Sequence, residues 1–154
     1  MKNLLKTNTD NITGLTLRVS LGLIMFPHGA QKLFGWFGGV GSSGTMNYFT
    51  ETVGLPFILA FLFVLAESIG SILLVLGIGT RIIAALFAVI MAGAAYTHFS
   101  YGFFMNWFGN QGGEGIEFHL LMMIVSIVVM NIGGGKASLD SLFYRKSLRQ
   151  EHRN

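Results

Sequence analysis

The chain lacks cysteine and carries little charge. Its 154 residues include no Cys and only two Pro, and 11% are charged against 52% hydrophobic and 13% aromatic. The absence of Cys excludes disulfides, thiolate metal sites and iron–sulfur clusters held by cysteine. An average soluble domain is about 25% charged, so this composition cannot cover the large relative surface of a small soluble globule. It therefore indicates an integral membrane protein embedded in a lipid bilayer, and it excludes a cytosolic domain and a nucleic-acid-binding module.

Four apolar stretches are long enough, or nearly so, to cross a hydrocarbon core about 30 Å thick, which takes about 20 helical residues. They lie near residues 15–34, 56–78, 81–98 and 116–132. Gly79 followed by Thr80 is typical of a helix end and a new N-cap, which predicts a tight hairpin between the second and third spans. We predict an all-α fold: an integral membrane four-helix bundle over residues 1–137, then a basic amphipathic cytoplasmic tail over residues 138–154.

The basic residues predict the orientation of these spans. Nine of the ten Lys and Arg residues fall on one side of the four-span arrangement, and Lys32 alone falls on the other. The nine are Lys2, Lys6, Arg18, Arg81, Lys136, Arg145, Lys146, Arg149 and Arg153. Because loops rich in Lys and Arg stay in the cytoplasm, both termini are predicted to be cytoplasmic.

A short motif occurs twice in the predicted outer loops. Trp-Phe-Gly-x-x-Gly begins at Trp36 and again at Trp107, and each copy follows a histidine near the outer end of the preceding span, His28 or His98. The echo indicates a pseudo-repeat of two helical hairpins. The alternative is a coincidence between two interfacial aromatic belts, because Trp and Phe gather at that depth of a membrane.

Glu67 is the most informative polar residue inside the predicted spans. A charged side chain at mid-membrane costs about 2.5–3.5 kcal/mol on insertion scales, so it needs a partner or a purpose. Glu67 lies near mid-membrane and has no charged residue within ten positions on either side. It is predicted either to take up a proton or bind a buried ligand, or to form a buried ion pair with Arg18, and the two roles are compatible.

Further ionisable residues are expected in the outer half of the membrane. His28 and Lys32 are four apart and share a helical face, although Lys32 could instead extend to the headgroups. His28 and His98, at matched depth, could hold a metal or haem, or contact the carbonyls of a quinone. Glu117 and His119 are two apart and therefore lie on different faces of the fourth span. Glu117 either joins the site or is only a carboxylate that the helix dipole stabilises at the start of that span.

The spacing of these residues favours an organic ligand over a metal. No Glu-x-x-His or His-x-x-x-His pair of the di-iron type occurs on one span, so no metal site is predicted. A site for a quinone or another small aromatic molecule fits better, because aromatic residues accompany the histidines. These are Phe26, Phe34, Phe99, Tyr101, Phe103 and Phe104.

The tail begins with a basic amphipathic segment. Ser138 is a candidate N-cap, and Leu139, Leu142 and Phe143 share one face of a predicted helix. The segment is expected to lie on anionic lipid, or alternatively to dock a cytoplasmic partner.

Several short motifs in a fixed order resemble one known family. They are Arg18 before an apolar run, His28-Gly29 with Lys32, Gly54-x-Pro56, Glu67-x-x-Gly70, Leu76-Gly77-x-Gly79-Thr80-Arg81, Gly112-Gly113, Glu117, Gly133-x-Gly135 and Ser138-Leu139-Asp140. The chain resembles the DoxX family of small bacterial four-span membrane proteins. The resemblance implies a bacterial inner membrane, and some relatives are linked to quinone-coupled oxidation, including a thiosulfate:quinone oxidoreductase subunit. It points to Glu67, Arg18, His28, Lys32 and Glu117 as the positions that matter.

The sequence therefore predicts a subunit of a quinone-linked oxidoreductase system that binds a quinone or a small phenolic compound within the bundle. Glu67 and His28 are the candidate catalytic residues. The candidate ligand-binding residues are Arg18, Lys32, His98 and Glu117. Three alternatives stay open: a haem-containing subunit that uses His28 and His98, a membrane anchor for a soluble redox enzyme, and a small transporter. A homo-oligomer is compatible with each of them.

Overall fold

The structure, a computed structural model, describes residues 7–151, with side chains described up to residue 146. This part of the chain is all helical, with six α-helices and no strand. The helices are α1 (Ile12–Phe34), α2 (Gly41–Asn47), α3 (Phe57–Leu76), α4 (Thr80–His98), α5 (Glu117–Ile132) and α6 (Leu139–Glu151). The predicted all-α class is confirmed. The side chains of Lys2, Lys6, Arg149 and Arg153, which entered the orientation argument, lie outside the described residues.

The four long helices follow the four apolar stretches to within a few residues. Two segments, Phe57–Leu76 and Thr80–Tyr101, are long and apolar enough to cross a membrane by length and composition, with mean hydropathies of 2.5 and 1.9. Helix α5 is apolar but has 16 residues, and α1 has 23 residues that include Arg18 and Lys32. Length and composition therefore single out α3 and α4 as candidate spans.

Helix α1 packs most extensively on α3, and α4 on α5. Buried apolar side chains from all four helices meet in one cluster. Its members include Leu21 and Met25 of α1, Leu74 of α3, Phe87 and Met91 of α4, and Met122 and Val129 of α5. The opposite faces of these helices expose large apolar side chains such as Ile58, Leu62, Val89 and Ile124. Such an apolar exterior is unusual for a water-soluble monomer.

Two glycines allow α1 to lie directly against α3. A Cβ atom added at Gly22 would lie 2.8 Å from the Ser71 carbonyl oxygen, and one added at Gly29 would overlap the backbone of Glu67 and Ser68. The two glycines are seven residues apart and therefore lie on one face of the helix. Close backbone approach at small residues is how helices associate in lipid. Gly29 brings this contact to the level of Glu67.

Replacing Gly29 with Ala is expected to push α1 away from α3. The added methyl group has backbone atoms as neighbours, and overpacking of this kind destabilises by about 1–3 kcal/mol. Thermal unfolding of the detergent-purified protein, followed by circular dichroism, measures the loss. Gly93→Ala is the matched control, because a Cβ atom there meets nothing within 4 Å. Equal unfolding temperatures for both variants would contradict the close approach.

Helix α6 is attached to the bundle at its first turn. The Ser138 hydroxyl accepts a hydrogen bond from the Ser141 N–H at 3.2 Å, as expected of an N-cap. The Asp140 carboxylate accepts hydrogen bonds from the backbone N–H groups of Gly79 and Thr80, each at 2.8 Å. Asp140 therefore caps α4, and the prediction that Thr80 is the N-cap is wrong, because Thr80 is itself the first helical residue.

Candidate functional site

Glu67 is buried in the middle of α3 and forms an ion pair with Lys32 of α1. The Glu67 side chain is 4% exposed and that of Lys32 is 29% exposed, and the Lys32 Nζ atom donates to Glu67 Oε2. The close contact at Gly29 explains this pair, because it brings the end of α1 against the backbone of Glu67. Lys32 therefore turns into the bundle, and the alternative in which it extends to the headgroups is wrong.

His28 lies beside this ion pair. It precedes Lys32 by one helical turn and interacts electrostatically with both Lys32 and Glu67. The ring centroid of His28 lies 5.5 Å from that of Phe118 in α5. The prediction that His28 and Lys32 share one face of the helix is confirmed by this arrangement. Phe118 is the aromatic neighbour that the sequence analysis missed, since nothing in the sequence pairs α5 with this face of α1.

His98 of α4 packs against His119 of α5, and the joint action of His28 and His98 on a ligand or haem stays a prediction. The two ring centroids are 4.8 Å apart with 31° between the ring planes. His98 Nδ1 also lies 2.9 Å from the Ala94 carbonyl oxygen. His119 interacts electrostatically with His28 and Lys32 as well as with His98. His119 thus lies near the ion pair as well as beside His98.

Every long helix contributes a titratable side chain to this cluster. Helix α1 provides His28 and Lys32, α3 provides Glu67, α4 provides His98 and α5 provides His119. We call these five residues the polar cluster, and the end of the molecule opposite α6 the distal end. Such convergence of polar side chains between apolar helices is the arrangement expected of a ligand site.

The aromatic residues predicted to line this site are mostly on the outside. Phe34, Phe99, Tyr101, Phe103 and Phe104 are exposed, and the ring centroid of Tyr101 lies 6.1 Å from that of His98. Exposed aromatic rings at the end of a helical bundle match the belt that Trp, Tyr and Phe form at a membrane surface.

Glu117 holds the loop between α4 and α5. Its Oε1 atom accepts hydrogen bonds from the Met105 N–H at 3.0 Å and from the Trp107 Nε1–H at 3.1 Å. Glu114 in the same loop accepts a hydrogen bond from the Asn106 N–H at 2.9 Å. Glu117 therefore fixes one copy of the Trp-Phe-Gly motif, and its predicted part in ligand binding stays a prediction.

Arg18 lies at the α6 end, away from Glu67, so the predicted pair of Arg18 with Glu67 is wrong. Arg18 is buried, with 1% of the residue exposed. The guanidinium donates to five backbone carbonyls, which belong to Leu74, Val75, Gly134, Lys136 and Ala137. An arginine has five N–H donors, so this network leaves none for the ligand that Arg18 was predicted to bind. Arg18 ties α1 to the last turn of α3 and to the segment before α6.

Arg81 makes a similar contact in the other helix pair. Its Nη1 atom donates to the carbonyl oxygens of Met130 and Asn131, at 2.6 and 2.7 Å. These carbonyls lie in the last turn of α5, as Leu74 and Val75 lie in that of α3, and a cation there is favoured by the helix dipole. In each helix pair, an arginine of the first helix therefore binds the carbonyl end of the second helix.

The two copies of the Trp-Phe-Gly motif differ in local structure, because only the first forms a 3-10 turn. The pseudo-repeat of two helical hairpins stays a prediction.

Among the described side chains, no group of three or more His, Asp or Glu residues is placed to hold a metal ion. The polar cluster therefore offers hydrogen-bonding groups and one ion pair. Its imidazoles can donate or accept a hydrogen bond, its ammonium group can donate, and its carboxylate can accept. This set is suited to the oxygen atoms of an organic ligand.

Comparison with known proteins places this arrangement in a family. The sequence profile of the DoxX family matches residues 14–100. The chain is also 34% identical over 131 residues to a Bacillus subtilis (strain 168) protein named "Putative oxidoreductase CatD", and the match covers 85% of this chain and 87% of that protein. No solved structure gives a significant match. The extent of these two matches confirms the resemblance seen in the motifs: the chain belongs to the DoxX family.

Proposed function

We propose that this chain is a multi-pass protein of the bacterial inner membrane, in which the four long helices span the bilayer as a bundle. Family membership, the apolar helices and the apolar exterior support a membrane location. Arg81, Lys136, Arg145 and Lys146 lie at the α6 end, whereas Lys32 lies toward the distal end. Because positive charge collects on the cytoplasmic side, we assign the α6 end and both termini to the cytoplasm and the distal end to the outer side.

The function that this site supports best is the binding of a quinone or a small phenolic compound within a quinone-linked oxidoreductase system. The observation that carries the proposal is the ion pair of Lys32 with the buried Glu67. A buried ion pair contributes little net stability, and apolar residues of similar volume are often at least as stable. A pair inside a lipid-embedded bundle is therefore better explained by a ligand than by folding alone.

The polar cluster matches both redox forms of such a ligand. A quinone carbonyl would accept hydrogen bonds, which the Lys32 ammonium and a protonated nitrogen of His28 can donate. The hydroxyl of the corresponding quinol or phenol would donate, and Glu67 or neutral His28 can accept. The oxidoreductase name of the B. subtilis relative agrees with a redox role for this chain, and the electrons would be exchanged with a partner protein.

The direct test is binding of decylubiquinone to the detergent-purified protein, followed by quenching of tryptophan fluorescence. His28→Gln and Glu67→Gln are each expected to weaken binding by about 10-fold to 100-fold, because a hydrogen bond to a charged or strongly polar group is worth about 1.5–3 kcal/mol. Glu51→Gln, an exposed carboxylate outside the polar cluster, serves as the control. Unchanged affinity in both cluster variants would refute the site. A visible absorption spectrum of the same sample tests the haem alternative.

A second candidate function is a membrane anchor for a soluble redox enzyme. It is favoured by α6, which is fixed through Asp140 and exposes Leu142 and Phe143 beside the basic residues Arg145 and Lys146. Deleting the whole tail would also remove the cap on α4, so the informative variant is Arg145→Gln with Lys146→Gln. An anchor role requires that this variant lose the complex with a redox partner, while Glu67→Gln keeps it.

A further inference from the structure

An open cavity of about 380 Å³ lies at the α6 end, far from the polar cluster. Its lining residues are Thr7, Asn8, Arg81, Ile132 and Tyr144. They come from the segment before α1, the first turn of α4, the last turn of α5 and the second turn of α6. Sites for small ligands commonly measure about 300–1,000 Å³, so the cavity has room for a small polar group. The proposed binding of a quinone uses none of these residues.

Hydrogen bonds hold the walls of this cavity in place. The Thr7 hydroxyl oxygen accepts a hydrogen bond from the Gly135 N–H at 2.8 Å, which fixes the segment before α1 against the segment before α6. Arg81 is held at the end of α5 by the carbonyls of Met130 and Asn131. The first turn of α6 is bonded in turn to the start of α4. The four walls are therefore connected to one another, and the cavity is a fixed part of the fold.

The polar side of the cavity suits a phosphate group. Arg81 supplies a positive charge, and the Tyr144 hydroxyl and the Asn8 amide group can each donate a hydrogen bond. The Thr7 hydroxyl oxygen accepts from Gly135 and can still donate its own hydrogen. A cation surrounded by several hydrogen-bond donors is the usual environment of a bound phosphate.

The surroundings of the cavity are positively charged. At the α6 end, the cations among the described side chains are Arg18, Arg81, Lys136, Arg145 and Lys146. The carboxylates described there are Asp10 and Asp140. Asp140 accepts hydrogen bonds from two backbone N–H groups of α4, and Asp10 lies 4.0 Å from Arg145. The excess of cations favours an anionic ligand, and basic residues at a membrane surface attract anionic lipid headgroups.

The apolar side of the cavity continues along the outer face of α5. Ile132 lines the cavity, and Val128, Ile124 and Leu121 precede it at intervals of four, four and three residues. This spacing places the four side chains on one face of the helix. Val128, Ile124 and Leu121 are exposed, so they form an apolar surface that runs from the cavity toward the distal end. A ligand with a hydrocarbon chain would cover this surface, whereas a small soluble phosphate compound would not.

We propose that this cavity binds the phosphodiester headgroup of an anionic phospholipid, with an acyl chain lying along the exposed face of α5. The bound lipid would join the segment before α1 to α4, α5 and α6 at one point of the inner leaflet. The exposed Leu142 and Phe143 of α6 fit this depth, because an amphipathic helix with basic residues lies in the interfacial plane of a membrane. The proposal rests on the proposed membrane arrangement, and it is independent of quinone binding.

The experiment measures lipid binding to the detergent-purified protein by native mass spectrometry. Phosphatidylglycerol is compared with phosphatidylcholine of the same acyl chains, and the first phosphatidylglycerol is expected to bind about 10-fold more tightly because of the cations at this end. Arg81→Gln is expected to weaken its binding by about 5-fold. The double variant Asn8→Ala with Tyr144→Phe keeps the contacts of Arg81 with α5 and is expected to weaken binding by about 10-fold.

Lys146→Gln is the matched control, because Lys146 is an exposed cation of α6 that does not line the cavity. It should leave the affinity nearly unchanged, and a loss equal to that in Arg81→Gln would overturn the proposal in favour of diffuse surface charge. If Arg81→Gln does not fold, the double variant decides, and unchanged affinity in that variant would refute the site.

Two further results would overturn the proposal. Equal affinity for the two lipids would exclude recognition of an anionic headgroup. Glycerol 3-phosphate has the phosphate group without acyl chains, and displacement of the lipid by an equal concentration of it would assign the cavity to a soluble phosphate compound. Carbonate extraction of cell membranes tests the membrane arrangement separately, since a spanning protein stays in the membrane. Absence of decylubiquinone binding would refute the proposed quinone site and leave the lipid site intact.

Discussion

Lys32→Met is expected to destabilise the protein by about 3–5 kcal/mol, because it leaves the Glu67 carboxylate buried without its partner. The Glu67 side chain is 4% exposed, so water cannot replace the lost ammonium group without opening the contact between α1 and α3. Thermal unfolding in detergent measures the change. Lys146→Met is the control, because Lys146 is exposed and its replacement should leave the unfolding temperature nearly unchanged.

The double variant Lys32→Met with Glu67→Leu separates stability from function. Both charges are then replaced by apolar groups of similar volume, so most of the lost stability should return. Decylubiquinone binding should nevertheless stay absent, because the hydrogen-bonding groups are gone. A double variant as unstable as Lys32→Met would contradict the pairing of these two side chains, and one that still binds quinone would contradict their proposed role.

Arg18→Met is expected to prevent accumulation of the folded protein. The substitution deprives the buried carbonyls of Leu74 and Gly134 of a donor and breaks three further bonds. Each buried acceptor left unpaired costs about 1–3 kcal/mol, and a typical domain is stable by only about 5–15 kcal/mol. The yield of monodisperse protein in size-exclusion chromatography, together with the unfolding temperature, measures the effect.

Arg18→Lys provides the graded comparison. A lysine keeps the positive charge but offers three donors from a single nitrogen, which cannot span the same carbonyls. Its stability should fall between those of the unmodified protein and Arg18→Met. If Arg18→Lys is as stable as the unmodified protein, the charge alone matters and the five-carbonyl network does not.

The sequence was sufficient to predict the helices and the importance of the polar residues. Apolar runs of nearly fixed length predict α1, α3, α4 and α5, and an isolated carboxylate in such a run predicted that Glu67 needs a partner. The partner itself depends on how closely two helices approach. From the sequence, Lys32 could either extend to the headgroups or turn into the bundle. The backbone contact at Gly29 brings it to Glu67 inside the bundle.

The acceptors of Arg18 and the partner of His98 could not be predicted in the same way. Backbone carbonyls at helix ends carry no sequence signal of their own, so a carboxylate seemed the natural partner for an arginine. His98 was grouped with His28 because of their matched depth and the motif that follows each of them, and the sequence did not show that the contact of α4 with α5 places His98 against His119. Glu117 and His119 were predicted to lie on different faces of one helix, and Glu117 contacts Trp107 whereas His119 contacts His98.

The contacts of Arg18 and Asp140 have a consequence for biosynthesis. The Gly134 acceptor of Arg18 is 116 residues further along the chain, and Asp140 is 60 residues beyond the Thr80 N–H that it caps. When the first three long helices have left the ribosome, the Gly134 carbonyl that binds Arg18 and the Asp140 carboxylate that caps α4 have not yet been synthesised. Assembly can therefore be completed only after translation has passed Asp140, so the segment from Gly134 to Asp140 fixes the helices made before it.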